Sequence, residues 1–414
     1  MPSRIRALKR KEMKFMMKKE QLEKYADVLL WGLKTARVKP LKKGSLVLLQ
    51  YDLPALELAE ILFGRLIDLG INAIQRMSMT VNMEKCFYEK ANDRQLSFLS
   101  PGDRPTYEKL DGRIFLRAPA SLTHLGKVDP SKIARAMVAR KPLRELMEAR
   151  EQQGLHGWTL CLYPTEELAS QAKLTPDEYT NQVIRACYLD KIDPVGEWKR
   201  IYTEVGKIKK WLNALPVKYF HVEAEHIDLR ITPGESRKWI GISGHNIPSF
   251  ELFMSPDWRG TEGTFYANQP SYRSGNYVEG VRLVFDKGNV VDVQADKGDA
   301  FTKKQLEMDP GAKRVGEFSL TDRRFSRIDR FMAETLFDEN YGGEYGNTHI
   351  ALGASYTDTF SGDMSTMNKA LKKKLGFNDS ALHWDLVNTE KKTVTAILKT
   401  GQRLVIYDDG KFCR

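Results

Sequence analysis

The sequence predicts an α/β domain over residues 1–216, a parallel-type sheet with flanking helices, followed by a β-rich α+β domain over residues 217–414. Two observations carry this. In the first part, stretches with apolar residues at helical spacing alternate with short, nearly continuous apolar runs, the pattern of strands buried on both faces. After Pro216 the segments become short, β-rich and punctuated by glycine. Residues 1–20 stand apart from both as a basic extension.

In order along the chain, residues 22–36 place Leu22, Tyr25, Val28, Leu29 and Leu33 at helical spacing, and Pro40 and Gly44 end the stretch. Residues 45–51 (SLVLLQY) read as a buried strand. Residues 54–69 are amphipathic and helical until Gly70, and residues 71–79 form the next strand. A further strand is expected at 113–118 (RIFLRA). Asp129-Pro130 opens one long helical stretch to residue 153, and the strand at 158–163 (WTLCLY) ends at Pro164. Helices follow at 166–172, 175–188 and 194–215. Beyond Pro216, strands are expected at 221–229, 238–242, 263–267, 281–285 and 290–296. Residues 277–296 make a hairpin that turns at Asp286-Lys287-Gly288-Asn289.

Nothing approaches the roughly 18 consecutive apolar residues of a membrane span. Phe15, Met16 and Met17 are followed at once by Lys18 and Lys19, which disfavours a secretory signal. Cys86, Cys161, Cys187 and Cys413 lie far apart with no CxxC pair, so they read as reduced thiols of a cytoplasmic protein, not as a disulfide framework or thiolate zinc site. Much of the net charge of +11 collects near the N-terminus, among Arg4, Arg6, Lys9, Arg10, Lys11, Lys14, Lys18 and Lys19. Such an arm could meet nucleic acid or an anionic surface. Without interleaved aromatics beyond Phe15, and without a nucleic-acid module, a solvated extension is the expected reading.

The chemistry gathers late in the chain. In His383-Trp384-Asp385, residues i and i+2 of an extended chain project from one face, so His383 and Asp385 reach one point while Trp384 packs behind. His349 lies among small and apolar neighbours (THIALG), and a buried imidazole needs a hydrogen-bond partner or a metal. Tyr356 follows seven residues later, on the same side if the segment is helical. Pro248 and Gly316 place Glu251 and Glu317 at expected loop ends, where a carboxylate can aim into a cleft. Glu339 is flanked by Asp338 and Asn340. Burying clustered carboxylates is costly, and divalent cations remove the cost. Oxygen and nitrogen donors without sulfur suit Zn, Co or Mn, and two ions sharing a carboxylate and a water are a hydrolytic arrangement. His221 to His226 (HVEAEH) misplaces the glutamate of HExxH and reads as structural, and His124, His156 and His245 have no supporting partners in the sequence.

Five ordered phrases, NIPSFELFMSPDWRGTEGTF, DPGAKRVGEFSL, TLFDEN, HIALGASY and LHWDLV, resemble the thermophilic-type metallo-aminopeptidases of peptidase family M29. The similarity continues into the first domain in KYADVLLWGLKTARVKPLKKGSLVLLQYD, VDPSKIARAM, YPTEELASQAKL and DKIDPVGEW, and so runs from residue 24 to the C-terminus. The resemblance implies a cytoplasmic, dimeric exopeptidase that acts on peptides with a free N-terminus. It implies two divalent metal ions in a C-terminal catalytic domain, Zn2+ or Co2+, with Mn2+ and Mg2+ as further options. Carried over position by position, the metal ligands are Glu251, Glu317, Glu339, His349, His383 and Asp385, and Tyr356 is the active-site tyrosine. Glu317 is expected to bridge the ions, and Glu251 is the candidate to carry the proton to the leaving amine. Between its DEN and HIALG phrases the family has only a few residues; here residues 341–348 (YGGEYGNT) intervene and are expected to bulge near the cleft.

Two other readings stay open at this point. One is metal-dependent hydrolysis of another amide or ester bond, although no phosphate-cradling glycine loop or arginine clamp is evident near the ligands. The other is a nucleic-acid-binding protein that uses the basic arm. The ligand set argues against the second, and no membrane partner is expected.

Overall fold

A computed structural model describes residues 17–273 and 276–414. The basic arm, apart from Lys18 and Lys19, lies outside the described residues. In the first part, β1 (Leu46–Tyr51), β2 (Asn72–Met77), β3 (Gly112–Arg117) and β4 (Gly157–Leu162) alternate with helices and pair in parallel in the order β2-β1-β3-β4. Val47, Leu49, Ile114, Leu116 and Cys161 are buried, which is why these strands read as apolar runs. Helix Lys19–Thr35 lies against β4 and helix Pro194–Ala214, where Trp31 stacks on Trp198 at 5.6 Å between ring centres.

The single helix expected over 129–153 is two, Pro130–Ala139 and Lys141–Gln152. Pro142 has no amide hydrogen, and its ring would clash with the carbonyl four residues back, so one helix cannot run through it.

Beyond Pro216 the chain forms β5 (Val217–Ala224), β6 (Asp228–Ile231), β7 (Asn246–Ile247), β8 (Glu251–Met254), β9 (Glu262–Ala267), β10 (Ser271–Arg273), β11 (Asn276–Asp286), β12 (Asn289–Lys297), β13 (Val315–Thr321), β14 (Asn347–Gly353), β15 (His383–Asn388), β16 (Lys392–Leu398), β17 (Arg403–Asp408) and β18 (Lys411–Phe412). The short β7 joins the parallel sheet beside β4. Nine strands form a large sheet in the order β10-β11-β9-β6-β5-β16-β17-β18, with β12 also on β11. The hairpin expected at 277–296 forms as β11 and β12, with Asp286 opposite Asn289. The strand expected over 221–229 is instead the hairpin β5–β6, because Ile227 turns back so that its carbonyl accepts the Ala224 amide at 2.9 Å. Residues 238–242 contribute only a bridge between Ile240 and Phe253.

The remaining strands form a four-stranded antiparallel sheet in the order β15-β14-β13-β8. Its register pairs Thr321 with Glu251, Ser319 with Phe253 and His349, Glu317 with Ala351, Ala351 with Asp385, and Gly353 with His383. Directly paired residues share a face and successive residues alternate, so the odd-numbered positions of all four strands point one way. The even face carries Leu252, Phe318, Leu320, Ile350, Leu352 and Leu386, all buried. Phe318 packs on Phe220 of β5 and on Trp239, at 5.8 and 5.6 Å between ring centres. The apolar face thus anchors the small sheet to the large one and leaves Glu251, Glu317, His349, His383 and Asp385 together on the other.

Candidate metal centre

Glu251 opens β8 and is held from two sides. Asn340, fully buried, accepts the amides of Phe250 at 2.5 Å and Glu251 at 3.1 Å. Ser319 on β13 donates to Glu251 Oε2 at 3.0 Å. Glu317 is not at a loop end but within β13, past a bulge between Val315 and Glu317. Gly316 makes the bulge possible: a Cβ there would collide with the carbonyl oxygens of Gly353 and Ala354.

The Glu317 carboxylate spans the site. Its Oε1 lies 3.5 Å from His349 Nε2, and its Oε2 lies 3.6 Å from His383 Nε2. His349 Nε2 is also 3.2 Å from Glu251 Oε2, and His383 Nε2 is 3.5 Å from Asp385 Oδ1. Five donors therefore fall into two triads, Glu251–Glu317–His349 and Glu317–His383–Asp385, each with its ligand atoms within 4.8 Å of one another. Glu317 belongs to both.

The ring orientations suit cations. His383 Nδ1 is 2.9 Å from the Ala354 carbonyl, which can only accept, so Nδ1 carries the proton and the Nε2 lone pair of the neutral ring faces the carboxylates. His349 is fully buried, and its Nε2 lacks an aligned hydrogen-bond partner among the described residues, despite the nearby Glu251 oxygen. An orphaned buried nitrogen among carboxylates that are only 6 % and 4 % exposed (Glu251 and Glu317) is the arrangement a divalent cation completes. The donor set, carboxylate oxygens and imidazole nitrogens, fits such an ion.

Without cations, Glu317, His383 and His349 are shifted toward their protonated forms. Burial, reinforced by the Glu251 charge, pushes Glu317 up to about 7. Burial opposes a charged His383, but Asp385 and Glu317 outweigh it and push the ring up to about 9. His349 is likewise driven above the usual imidazole range, with Glu251 and Glu317 overcoming its burial. Asp385 goes the other way: burial raises it, and the two histidines and Arg273 more than offset that.

Glu339 stands off the sheet, at the C-terminal end of the short helix Thr335–Asp338, and belongs to neither triad. It lines a cavity of about 400 Å3 with Arg117, Leu160, Asn246 and Tyr272. Burial and then the charges of Glu251 and Asp385 raise its pKa well above the usual carboxylate range. The insertion at 341–348 does not bulge. Its glycines are packed down, with the amides of Gly342 and Gly343 on the Ile328 carbonyl at 2.8 and 3.0 Å, and Asn347 Nδ2 holds the Glu339 carbonyl at 3.1 Å. Asp338 is turned away, accepting the amides of Met332 and Glu334.

Tyr356 follows β14 in extended conformation, not on a helix, and its amide donates to Ser255 Oγ at 2.8 Å. Its ring stands edge-on to His383, 4.7 Å between centres, and edge-on to Phe253, 5.9 Å between centres. Partial burial and the carboxylates of Glu317, Asp385, Glu339 and Glu251 push its pKa up, so the phenol keeps its proton.

Sequence reasoning missed Ser319, Asn340, Asn347 and Arg273, which hold the donors in place; the Arg273 guanidinium donates to the His383 carbonyl at 2.8 Å. One signal was there. Glu317, Ser319 and Thr321 alternate with Phe318 and Leu320, which puts Ser319 on the face of Glu317. The other histidines have partners of their own: His124 with Glu84, His245 with Glu151, His221 with Asp228, and buried His156 near the Leu110 carbonyl. His226 pairs with Glu390 at 2.6 Å in an exposed cluster with Glu225.

The sequence profile of the M29 family, described as thermophilic metalloprotease, matches residues 18–412. Aminopeptidase PepS of Streptococcus thermophilus is 27 % identical over 425 residues, covering 95 % of this chain and 98 % of that one. Aminopeptidase T of Thermus aquaticus is 28 % identical over 270 residues, covering 62 % of this chain and 63 % of that one. Among solved structures, wild-type AmpT from Thermus thermophilus shares the fold, with a TM-score of 0.79 at 23 % identity over 96 % of this chain and 100 % of that one. Among the described residues no helix is long and apolar enough to cross a membrane.

Proposed function

This chain belongs to the M29 family of thermophilic metalloproteases, and from that premise we propose that it is a metal-dependent aminopeptidase that removes N-terminal residues from peptides at a two-ion centre. The observation that carries the reading is the shared position of Glu317 in two donor triads. Glu251 and His349 would hold one ion and His383 and Asp385 the other, with Glu317 placed to serve both triads, and Glu339 would add a sixth donor from the cavity side. Divalent cations held there would supply Lewis-acid polarisation of the scissile carbonyl and a water activated near neutral pH. Zn2+ or Co2+ is the first choice, and Mn2+ and Mg2+ also fit oxygen-rich donors.

The chain's own residues do the rest. Tyr356 keeps its phenolic proton and donates a hydrogen bond to the oxygen that becomes negative in the transition state. Glu251, steadied by Ser319, is the carboxylate that passes a proton to the leaving amine. The Ala354 carbonyl and Asn347 side chain orient His383 and His349. We further propose a cytoplasmic homodimer; sedimentation of the full chain checks the oligomeric state. The substrate class is tested by digesting one peptide with a free and with an acetylated N-terminus. Stepwise release from the free peptide alone, silenced by a chelator and restored by Zn2+ or Co2+, supports the reading. Equal cleavage of the acetylated peptide contradicts it.

A further inference from the structure

A large cavity lies apart from the metal centre, in the parallel sheet. That sheet runs β2-β1-β3-β4-β7, so the chain leaves β1 toward one edge and returns to its other side for β3. In open sheets of this kind the crevice outside the carboxyl ends of the strands, where the order reverses, is where ligands sit. Here that crevice is about 820 Å3, within the range of small-molecule sites, and it is lined by Asp52, Ser78 and Ala118, the residues just past β1, β2 and β3.

Its chemistry is specific. Register puts Gln50 of β1 beside Phe115 of β3 and Leu48 beside Arg113, so Gln50, Arg113 and Phe115 share one face. Arg113 donates to Gln50 Oε1 at 2.7 Å, while its Nε is buried without a hydrogen-bond partner among the described residues. Arg140 and Arg144 stand at the exposed rim. None of these three guanidinium groups has a carboxylate partner among the described residues. The acids that line the crevice are already engaged: Asp103 with Arg76 at 3.0 Å, Glu84 with His124 at 2.8 Å, and Asp52 with the Ala118 amide at 2.8 Å. The site therefore has cationic donors to spare. The remaining wall is soft and apolar, with Met77, Met79, Met137 and Met147, side chains that adapt to varied shapes.

We propose that this crevice is a second ligand site that takes a carboxylate on an apolar body. Guanidinium groups match the planar carboxylate bidentately. The turn from β1 into the next helix, Asp52-Leu53-Pro54-Ala55, has no glycine and so is not a glycine-rich phosphate loop. The same chemistry is offered by the C-terminal end of a peptide and by a free aliphatic acid.

The test is calorimetric titration of the full chain with N-acetyl-leucyl-leucine, whose blocked N-terminus bars it from aminopeptidase turnover. Its C-terminal amide and 4-methylpentanoate are titrated alongside. The acid should bind at one site, and the amide roughly tenfold or more weaker. Arg144→Gln, at the exposed rim, and Arg113→Gln should each weaken the acid by a similar factor and leave turnover of a leucine anilide unchanged. Glu317→Gln should bind it as well as the parent does. Tighter binding of the dipeptide than of 4-methylpentanoate assigns the peptide terminus, and the reverse assigns a free acid. Three results overturn the proposal: no binding of either acid, equal binding of acid and amide, or binding lost in Glu317→Gln but kept in both arginine variants, which puts the carboxylate on the metal centre.

Discussion

Ser319 lies across from His349 in the pairing of β13 with β14, yet spends its hydroxyl on Glu251, 3.0 Å away. A small polar side chain on the donor face thus fixes one carboxylate of the site. Ser319→Ala should lower kcat/KM by roughly tenfold, since residues that orient a ligand are worth about 10- to 100-fold, with little change in melting temperature. Unchanged kcat/KM would show that Glu251 is held by Asn340 alone.

Tyr356 reaches the centre from outside the sheet. Tyr356→Phe should reduce kcat by on the order of 100-fold, the scale of a lost transition-state donor, while KM moves little. A rise in KM at constant kcat would instead make the tyrosine a substrate-binding group.

The histidines predict how the centre loads. His383, pushed up to about 9, holds its proton in the metal-free protein at pH 7, and His349 is shifted in the same direction by the Glu251 and Glu317 carboxylates. A cation takes only the neutral ring, so uptake must release protons and weaken as pH falls. Calorimetry in buffers of different ionisation enthalpy measures the protons released. Stability follows the same sign. A folded pKa above the unfolded one stabilises fully below the unfolded value and is lost as pH rises through the folded one. For His383 that window runs from about 6.5 to 9, and for Glu317 from about 4.5 to 7. The metal-free protein should lose melting temperature relative to the loaded protein across these windows. Parallel curves for the two forms would contradict the assignment.

Lys392 works in the opposite direction, in both forms. Its amine is buried on β16 with the Tyr345 carbonyl at 3.2 Å, and burial pulls its pKa down to about 7. Between about 7 and 10.5 the unfolded chain holds the extra proton, so this residue makes stability rise with pH. Lys392→Met should remove that rise and stabilise the protein at and below pH 7, read by thermal melts across pH. A destabilised variant at pH 6 would mean the bond to Tyr345 outweighs the burial cost.

Much of this was legible in the chain because local pattern and global fold agree. The apolar runs at 45–51 and 158–163 became central parallel strands, and the HxD spacing of His383 and Asp385 became two neighbours on one sheet face. What was hidden depended on long-range contact. Glu317 looked like a loop-end residue because Gly316 precedes it, but that glycine serves a bulge forced by the carbonyls of Gly353 and Ala354. The 341–348 insertion looked free because glycines usually mark loops, but they are packed where side chains would collide with Ser326 and Tyr407. Asn340 caps the start of β8 from 90 positions away, and no local pattern reveals that.

Glu317→Gln addresses the bridge itself. It should cut turnover by more than the 100-fold upper bound typical of orienting residues and lower bound metal per chain, while the variant stays folded by circular dichroism. Full turnover would remove Glu317 from the reaction.

The most direct measurement is anomalous diffraction from crystals of the Zn2+- or Co2+-loaded protein. Two peaks per chain are expected, one beside Glu251 and His349 and one beside His383 and Asp385, each about 2.0–2.2 Å from a different oxygen of Glu317. A single peak, or two peaks of which one lies out of reach of Glu317, would contradict it.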